Sequence, residues 1–504
     1  MISKVLTTEK LRNFYSQKKN KTISLCHGVF DLIHQGHLKH FKEIKKFSDI
    51  LIVSVTSDKF AKKGDGRPYF NLADRMYVLS CLEYVDFVVE SNSYSAEGII
   101  KKIKPNFYCK GPDYKHLNKD DTKKIYIEKK AVEKNGGKLF ITSDVTSSSS
   151  ELINSEYIFD KKQISFLRKI KKKLDIEKVY AIFDFFKKQD VLIAGETIID
   201  VYNHLNALNK SGKEGVLNFS ESKTCTYLGG SAAVANNVSN FAKKTILLTY
   251  LGKDNHYHNF IKENLSKSIK FKFIKKKNSP TIEKKRYLDE GSNHKLFGIY
   301  KHNDSFLDKI QERYLIKEIN KLSKNTLILL YDYGHGFFTK NLISKFSTKK
   351  SFKSINAQLN SSSLGYHSIH KYKSYNLVTM NESELRFEMR DRSTDLRSLI
   401  KLFAKKNKAN FYLLTMGKKG AIIYNRKKSK FAFAPAFGKK IVDKVGAGDS
   451  MIPIISICLA NKIDEDIALL FGSVFAAESI KFEANNYNLE KIKLIDTIKT
   501  MLKV

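Results

Sequence analysis

The stretch TISLCHGVFDLIHQGH, residues 22–37, runs from a buried strand into the mouth of a helix. Residues 22–28 carry the apolar run of a strand that ends in glycine. His34 and His37 stand three apart. At a helix start that spacing puts both imidazoles on one side, beside the unpaired N–H groups and the positive end of the dipole. A triphosphate fits there, as anions do at helix N-termini in general. Gly36 lets phosphate approach the backbone closely. Downstream, the segment 37–47 places Leu38, Phe41, Ile44 and Phe47 on one side, as a helix packed on a sheet would. Apolar runs at 50–55, 84–89 and 106–111 alternate with helical patterns at 71–83 and 94–103. That alternation predicts a parallel α/β sheet in a first domain, residues 1–160.

Residues 161–188 differ. Phe166, Leu167, Ile170 and Leu174, then Val179, Ile182, Phe183 and Phe186, fit helical turns interrupted around Asp175. Without Gly or Pro, and with faces to bury, the segment reads as a helical connector and not a flexible linker. A second α/β domain, 189–504, opens on the strand Val191-Leu192-Ile193-Ala194-Gly195, with further strands near 246–251, 326–331, 376–379, 410–415 and 421–424. No internal repeat is evident, so two different folds are expected.

A chain of 504 residues that is 42% apolar can bury cores of this size. Its five cysteines are scattered, which argues against a disulfide framework or a zinc cluster and for a reducing cytosol. The first residues lack the apolar core of a signal peptide, and no run approaches the ~20 apolar residues of a membrane span. Net charge is +38. The lysine runs 171–173 and 275–277 are short and dispersed, with no zinc finger or RNP-like pattern beside them. The charge therefore reads as a lysine-rich surface suited to anionic small molecules, with neither nucleic acid nor membrane as partner.

Near the C-terminus runs Asp443-Lys444-Val445-Gly446-Ala447-Gly448-Asp449-Ser450, ahead of a helix-like apolar run at 451–459. The glycines allow a tight loop whose N–H groups point at a transferring phosphate. Asp449, at the helix start, can take the proton from a hydroxyl as general base.

Several motifs join the first site: Lys63-Gly64-Asp65-Gly66-Arg67-Pro68, Asp74-Arg75-Met76, Tyr84-Val85-Asp86, Lys110-Gly111-Pro112-Asp113-Tyr114 and Ser148-Ser149-Ser150-Glu151-Leu152-Ile153. Together with the opening stretch they resemble the cytidylyltransferase-like superfamily, and within it the adenylyltransferase half of the bifunctional ADP-heptose synthases. The resemblance covers nearly all of 22–155. It implies a Rossmann-like fold. His34 and His37 would be catalytic, and Gly28, Phe30, Gly36, Lys63, Arg75, Lys110, Ser148 and Ser149 would bind nucleotide and phosphate. Cytidylyltransferases for glycerol phosphate carry an arginine shortly before the serine motif. Ser143 stands there, which leans away from CTP. The same HxGH occurs in class I aminoacyl-tRNA synthetases, but no KMSKS-like motif follows.

In the second half, Gly229-Gly230, Asn381-Glu382-Ser383-Glu384, Thr415-Met416-Gly417-Lys418-Lys419-Gly420 and the Gly446–Asp449 loop occur in the order of the ribokinase (PfkB) family. The resemblance covers roughly 190–490 and implies a ribokinase-like α/β domain. Asp449 would be the base, and Gly446, Ala447 and Gly448 the anion hole. Gly417 and Gly420 would line the nucleotide. Asp200, Gly229 and Gly230 would hold the sugar, and Asn381 and Glu384 would organise Mg²⁺ through water. The chain departs from the family at Ala233, where asparagine is usual, and at 356–361, where heptose kinases carry Asp-Pro-Lys. Pro453 falls beyond the first turn of the expected helix. The order of the halves is the reverse of that in the ADP-heptose synthases.

The sequence thus predicts a cytoplasmic bifunctional enzyme. One half phosphorylates a sugar or sugar phosphate with ATP and Mg²⁺. The other transfers a nucleotidyl group to a sugar-1-phosphate, giving an ADP-heptose-like donor. A CTP-dependent enzyme acting on another sugar or polyol is the alternative, and a basic nucleic-acid-binding protein ranks below both. A homo-oligomer is left open.

Overall fold

The computed structural model describes residues 4–11, 21–61, 67–111, 124–143, 159–210, 216–253, 255–359, 366–439, 441–487 and 489–504. Lys63, Ser148 and Ser149 lie outside the described residues. The chain divides into two compact units. The first comprises Met1–Tyr180 with Ile492–Val504, and the second Ala181–Lys491.

The first unit is built on five strands, β1 (Ile23–Gly28), β2 (Ile50–Thr56), β3 (Phe87–Ser91), β4 (Phe107–Lys110) and β5 (Lys138–Ile141). They pair in the order β3-β2-β1-β4-β5, parallel throughout. Every residue of β2 (ILIVSVT) is buried, as a parallel strand covered on both faces requires. Helices α1 (Gln35–Lys45) and α2 (Leu72–Ser80) bring Phe41, Ile44 and Leu79 to one apolar cluster, with Leu51, Val53 and Val55. Helices α3 (Glu97–Ile103) and α4 (Lys124–Lys134) bring Ile99, Ile100, Ile103 and Val132 to another, with Leu25 and Ile52. Leu38, expected on the packed side of α1, is exposed. The strand order reverses between β1 and β4, so their carboxyl ends frame the crevice where open α/β sheets bind ligands. Gly28 and Lys110 end those two strands.

Helices α5 (Lys161–Lys171) and α6 (Ile176–Lys188) follow. A reciprocal capping box of Asp160 and Gln163 starts α5. Within the first unit, Lys171 Nζ donates to the Val504 carbonyl at 3.0 Å.

The second unit holds β6 (Asp190–Gly195), β7 (Thr197–Lys210), β8 (Leu217–Gly229), β9 (Lys244–Gly252), β10 (Ile269–Lys276), β11 (Ile282–Asp289), β12 (Lys295–Lys301), β13 (Leu327–Asp332), β14 (Lys353–Ala357), β15 (Leu377–Asn381), β16 (Phe411–Thr415), β17 (Ala421–Asn425) and β18 (Lys430–Ala434). Nine of them form one sheet, β10-β9-β6-β13-β14-β15-β16-β17-β18, parallel except where β17 pairs with β16 and β18. The other four form a smaller sheet, β12-β11-β7-β8. Its edge strand β12, KLFGIYK, is exposed along its whole length. Its helices are α7 (Gly230–Ser239), α8 (His258–Asn264), α9 (Lys309–Asn320), α10 (Lys340–Ser347), α11 (Glu382–Met389), α12 (Leu396–Asn407), α13 (Ala447–Ala460) and α14 (Glu465–Ser479), and the last helix of the chain, α15 (Lys491–Met501), belongs to the first unit from Ile492 on. Pro453 lies buried inside α13, which continues through it.

Candidate active sites

In the first unit, the loop after β1 turns through Phe30 at φ +51°, a left-handed conformation that a bulky residue rarely adopts. Its ring packs on His37 and Phe41, with centroids 5.4 and 5.8 Å away. A Cβ on Gly28 would lie 3.1 Å from that ring, so the glycine makes room for it. His34 caps α1, its Nδ1 accepting from the Gly36 N–H at 3.1 Å. The His34 and His37 rings stand 4.0 Å apart, both at the helix mouth as the spacing predicts. Burial holds His34 below the ordinary histidine value. Asp31, 2% exposed, pairs with Arg67 at 2.6 Å and accepts from the N–H groups of Tyr69 and Phe70.

Two of the expected phosphate donors, Arg75 and Lys110, already have partners within the protein. Arg75 is buried, and its guanidinium donates to the carbonyls of Val29 and Phe70 and to Asp58 at 2.6 Å. These bonds tie the motif loop to α2. Lys110 stands at the crevice, but its side chain is buried. Nζ lies 3.3 Å from the His27 carbonyl and 3.6 Å from Glu128 Oε2. Burial opposes ionisation of Glu128. Lys110, with the donors Ala96 N–H and Tyr108 OH, nevertheless keeps its carboxyl below the usual range. Next to them His40, bound to Thr142 at 2.8 Å, is pushed down to about 4 by burial and by Lys110. Ser143 donates from its N–H and hydroxyl to Glu43.

In the second unit, Asp449 lies in the first turn of α13. Its Oδ1 is sealed from solvent and has no hydrogen-bond partner among the described residues. Burial and the charge of Asp200 push its carboxyl up to about 7, while Lys284 pulls the other way. The helix starts at Gly446 with no side-chain cap, which leaves its first-turn N–H groups for an anion. Gly446 has φ +84°, and a Cβ there would collide with Asn485 Oδ1. Ala447 and Gly448 follow, both half-buried. Asp200, 4% exposed on β7, forms an ion pair with Arg286. A Cβ on Gly229 would collide with the Asp200 carboxylate, and one on Gly230 (φ +56°) with the Glu196 carbonyl. The glycine pair thus lets Asp200 and the end of β6 close on the start of α7. Gly417 (φ +56°) and Gly420 (φ +104°) shape the turn after β16, where a Cβ on Gly420 would strike the Ala434 carbonyl.

Comparison with known proteins agrees with this division. Residues 188–491 match the pfkB family carbohydrate kinase model. The chain belongs to that family. Residues 25–155 match the cytidylyltransferase-like model. Kinase and nucleotidyltransferase modules therefore share one chain. In the cytidylyltransferase part the chain is similar to proteins called bifunctional protein HldE. That of Campylobacter concisus is 39% identical over 114 residues, 22% of this chain and 24% of the relative. That of Escherichia coli O1:K1 is 33% identical over 162 residues, 31% and 32% respectively. The chain thus spans about a third or less of these relatives' length. Among solved structures, phosphofructokinase-2 of Escherichia coli shares the fold with a TM-score of 0.50 at 14% identity, covering 62% of this chain and 98% of that one. Ribokinase of Thermotoga maritima gives 0.50 at 17%, covering 62% and 99%.

Three residues of the kinase module escape a reading of the sequence. Lys284 and Arg286 lie two apart on β11 and so share a face. Lys284 pairs in register with Asp200. Burial lowers its pKa, with Asp200 opposing. The alternating signal was there in IEKKRYLD, but it is lost among the lysines of the chain. Glu196, fully buried, accepts from the N–H groups of Tyr333, His335 and Phe337 at 3.0–3.2 Å. Burial and Asp332 push it to about 7.

Asn381 and Glu384 form a reciprocal capping box at the start of α11, each bond 2.8 Å. Burial raises the Glu384 carboxyl to about 7, against the N–H bonds that favour its ionised form. A carboxylate held half-neutral by burial is one that a nearby cation would ionise, so the pair fits Mg²⁺ held through water.

Proposed function

We propose that this chain is a bifunctional cytoplasmic enzyme of nucleotide-sugar synthesis. The kinase module transfers the γ-phosphate of ATP to a hydroxyl of a sugar or sugar phosphate of the heptose-7-phosphate class. The nucleotidyltransferase module joins a sugar-1-phosphate to a nucleotide, giving an ADP-heptose-like donor. A phosphatase must then act between the two steps. The observation that carries the reading is the Asp449 carboxylate, unpartnered at the uncapped mouth of α13 with Asp200 in electrostatic range.

In the kinase step the sugar hydroxyl gives its proton to Asp449 as its oxygen bonds to the γ-phosphorus. The bond to the β–γ bridging oxygen breaks and ADP leaves. The N–H groups of the Gly446–Asp449 turn receive the charge that develops. Asp200, oriented by Arg286, accepts from sugar hydroxyls. Asn381 and Glu384 would hold Mg²⁺, which when bound neutralises triphosphate charge.

In the nucleotidyl step a sugar-1-phosphate oxygen bonds to the α-phosphorus and pyrophosphate departs. The nucleophile is already anionic, so no base is needed. His34 and His37 donate to the transferring group, with Lys63, Lys110 and the N–H groups near Ser148 and Ser149 as further donors. ATP is favoured over CTP because Ser143, bound to Glu43, stands where the cytidylyltransferases carry arginine.

Mass spectrometry of products from ATP, CTP and a panel of sugar phosphates tests both steps. Asp449→Asn should lower phosphorylation by about 10²–10⁴-fold and leave nucleotidyl transfer unchanged. Loss of both activities would contradict two separate sites.

A further inference from the structure

Three metal-ligating side chains of the kinase module that the proposed reaction does not use converge. His204 comes from β7, Cys225 from β8 and Glu483 from the segment after α14. One ligand atom of each lies within 4.8 Å of the others. His204 is 8% exposed, and its Nε2 makes no hydrogen bond among the described residues. That atom sits 3.2 Å from Glu483 Oε1 yet lacks hydrogen-bond alignment. Two ligands of one tetrahedral zinc, each about 2.0–2.2 Å from the metal, stand roughly 3.3 Å apart and point at the ion, not at each other. The other oxygen of Glu483 accepts from Tyr227 OH at 2.6 Å, the kind of outer bond that orients a ligating carboxylate.

We propose that His204, Cys225 and Glu483 form a zinc site with a fourth position open to water, made of residues that take no part in the proposed phosphoryl transfer. Imidazole, thiolate and carboxylate together suit Zn²⁺ and not Mg²⁺ or Ca²⁺, which take oxygen ligands. Binding transfers the Cys225 thiol proton to solvent and leaves the ion's oxidation state unchanged. The scattered cysteines conceal the site from a spacing rule, because its ligands are brought together only by strand pairing. The site would clip β7 and β8 to the segment 483–487. That segment also carries Asn485, packed on Gly446, and Tyr487, which donates to the Gly446 carbonyl. A second trio, His302, Asp304 and His335, is accounted for without an ion, since both Nδ1 atoms already bond to Asp304 at 2.8 and 2.7 Å.

The test is metal content of the full chain after loading with Zn²⁺ and dialysis, with Co²⁺ substitution as a spectroscopic readout. Wild type should retain about one zinc per chain, and the cobalt form should show a thiolate-to-metal charge-transfer band. Cys225→Ser should lose the band, and His204→Asn should lose the zinc. Tyr227→Phe keeps all three ligands and should weaken zinc binding by about tenfold or more. Wild type without the band overturns the proposal whether or not the variants fold. So does zinc retained equally by a folded His204→Asn chain.

Discussion

An exposed aspartate at neutral pH is fully ionised and a poor proton acceptor. Burial and Asp200 bring Asp449 to about 7, where it is still ionised in part and basic enough to accept a hydroxyl proton. Because only the ionised form is a base, kcat/KM for phosphorylation should fall below about pH 7, nearing tenfold per unit in acid. Lys284 favours the ionised form, so Lys284→Met should move that acid limb to higher pH. A limb that stays in place would mean that Lys284 does not share the field of the base. Arg75 makes a different kind of prediction. Arg75→Ala leaves two carbonyls and Asp58 without their donor, at about 1–3 kcal/mol for a buried group left unpaired. The melting temperature of the first unit should drop together with nucleotidyl transfer. A direct phosphate ligand would instead raise KM and leave the melting temperature alone.

At the mouth of α13 two glycines two residues apart do different work. Gly446 needs its left-handed φ and its open space, whereas a Cβ on Gly448 would meet only Ile452 Cδ1 at 3.9 Å. Gly446→Ala should destabilise the kinase module by about 1–3 kcal/mol in denaturant melts. Gly448→Ala should melt like wild type and still lose activity with ATP, because only a close-lying phosphate would feel the added methyl. Elements of this kind were largely legible in the sequence. The strand-to-helix passage around His34 and the Gly446–Asp449 turn are local, and glycine, histidine and helix caps report local geometry. The buried runs of β2 and β13 were equally plain, since parallel strands covered on both faces are apolar throughout. The sheet β12-β11-β7-β8 was not. Burial does not alternate along β8, which is mostly polar, or along β12, which is exposed throughout, so neither carries the period-two signal of a strand. The partners of Asp200 and the capture of Lys110 by Glu128 were hidden for another reason. Both depend on which strands lie side by side, and no window of the sequence contains that.

Across the kinase module, Asp449, Glu196 and Glu384 all sit near 7 against ordinary values of 3.8 and 4.5. The folded chain holds these protons more tightly than the unfolded one, so their share of stability is full below about pH 4 and lost as pH rises through 7. His335, pushed down to about 4 by burial, acts in the opposite sense below 6.5. A single substitution separates the two. Glu384→Gln keeps the capping box and removes one titration. Its melting temperature relative to wild type should therefore climb between pH 5 and pH 8, as calorimetry can check, and a flat difference would refute the raised Glu384 pKa. The exposed border strand β12 has a practical corollary for handling this protein. Leu296, Phe297, Ile299 and Tyr300 stand in water there, bracketed by Lys295 and Lys301. Lys295 is paired with Asp443 at 2.9 Å, and the Lys301 ammonium at the other end repels like ribbons and discourages amyloid-type stacking. Acetylating the lysines, or raising the ionic strength far enough to mute them, should make concentrated solutions turn turbid.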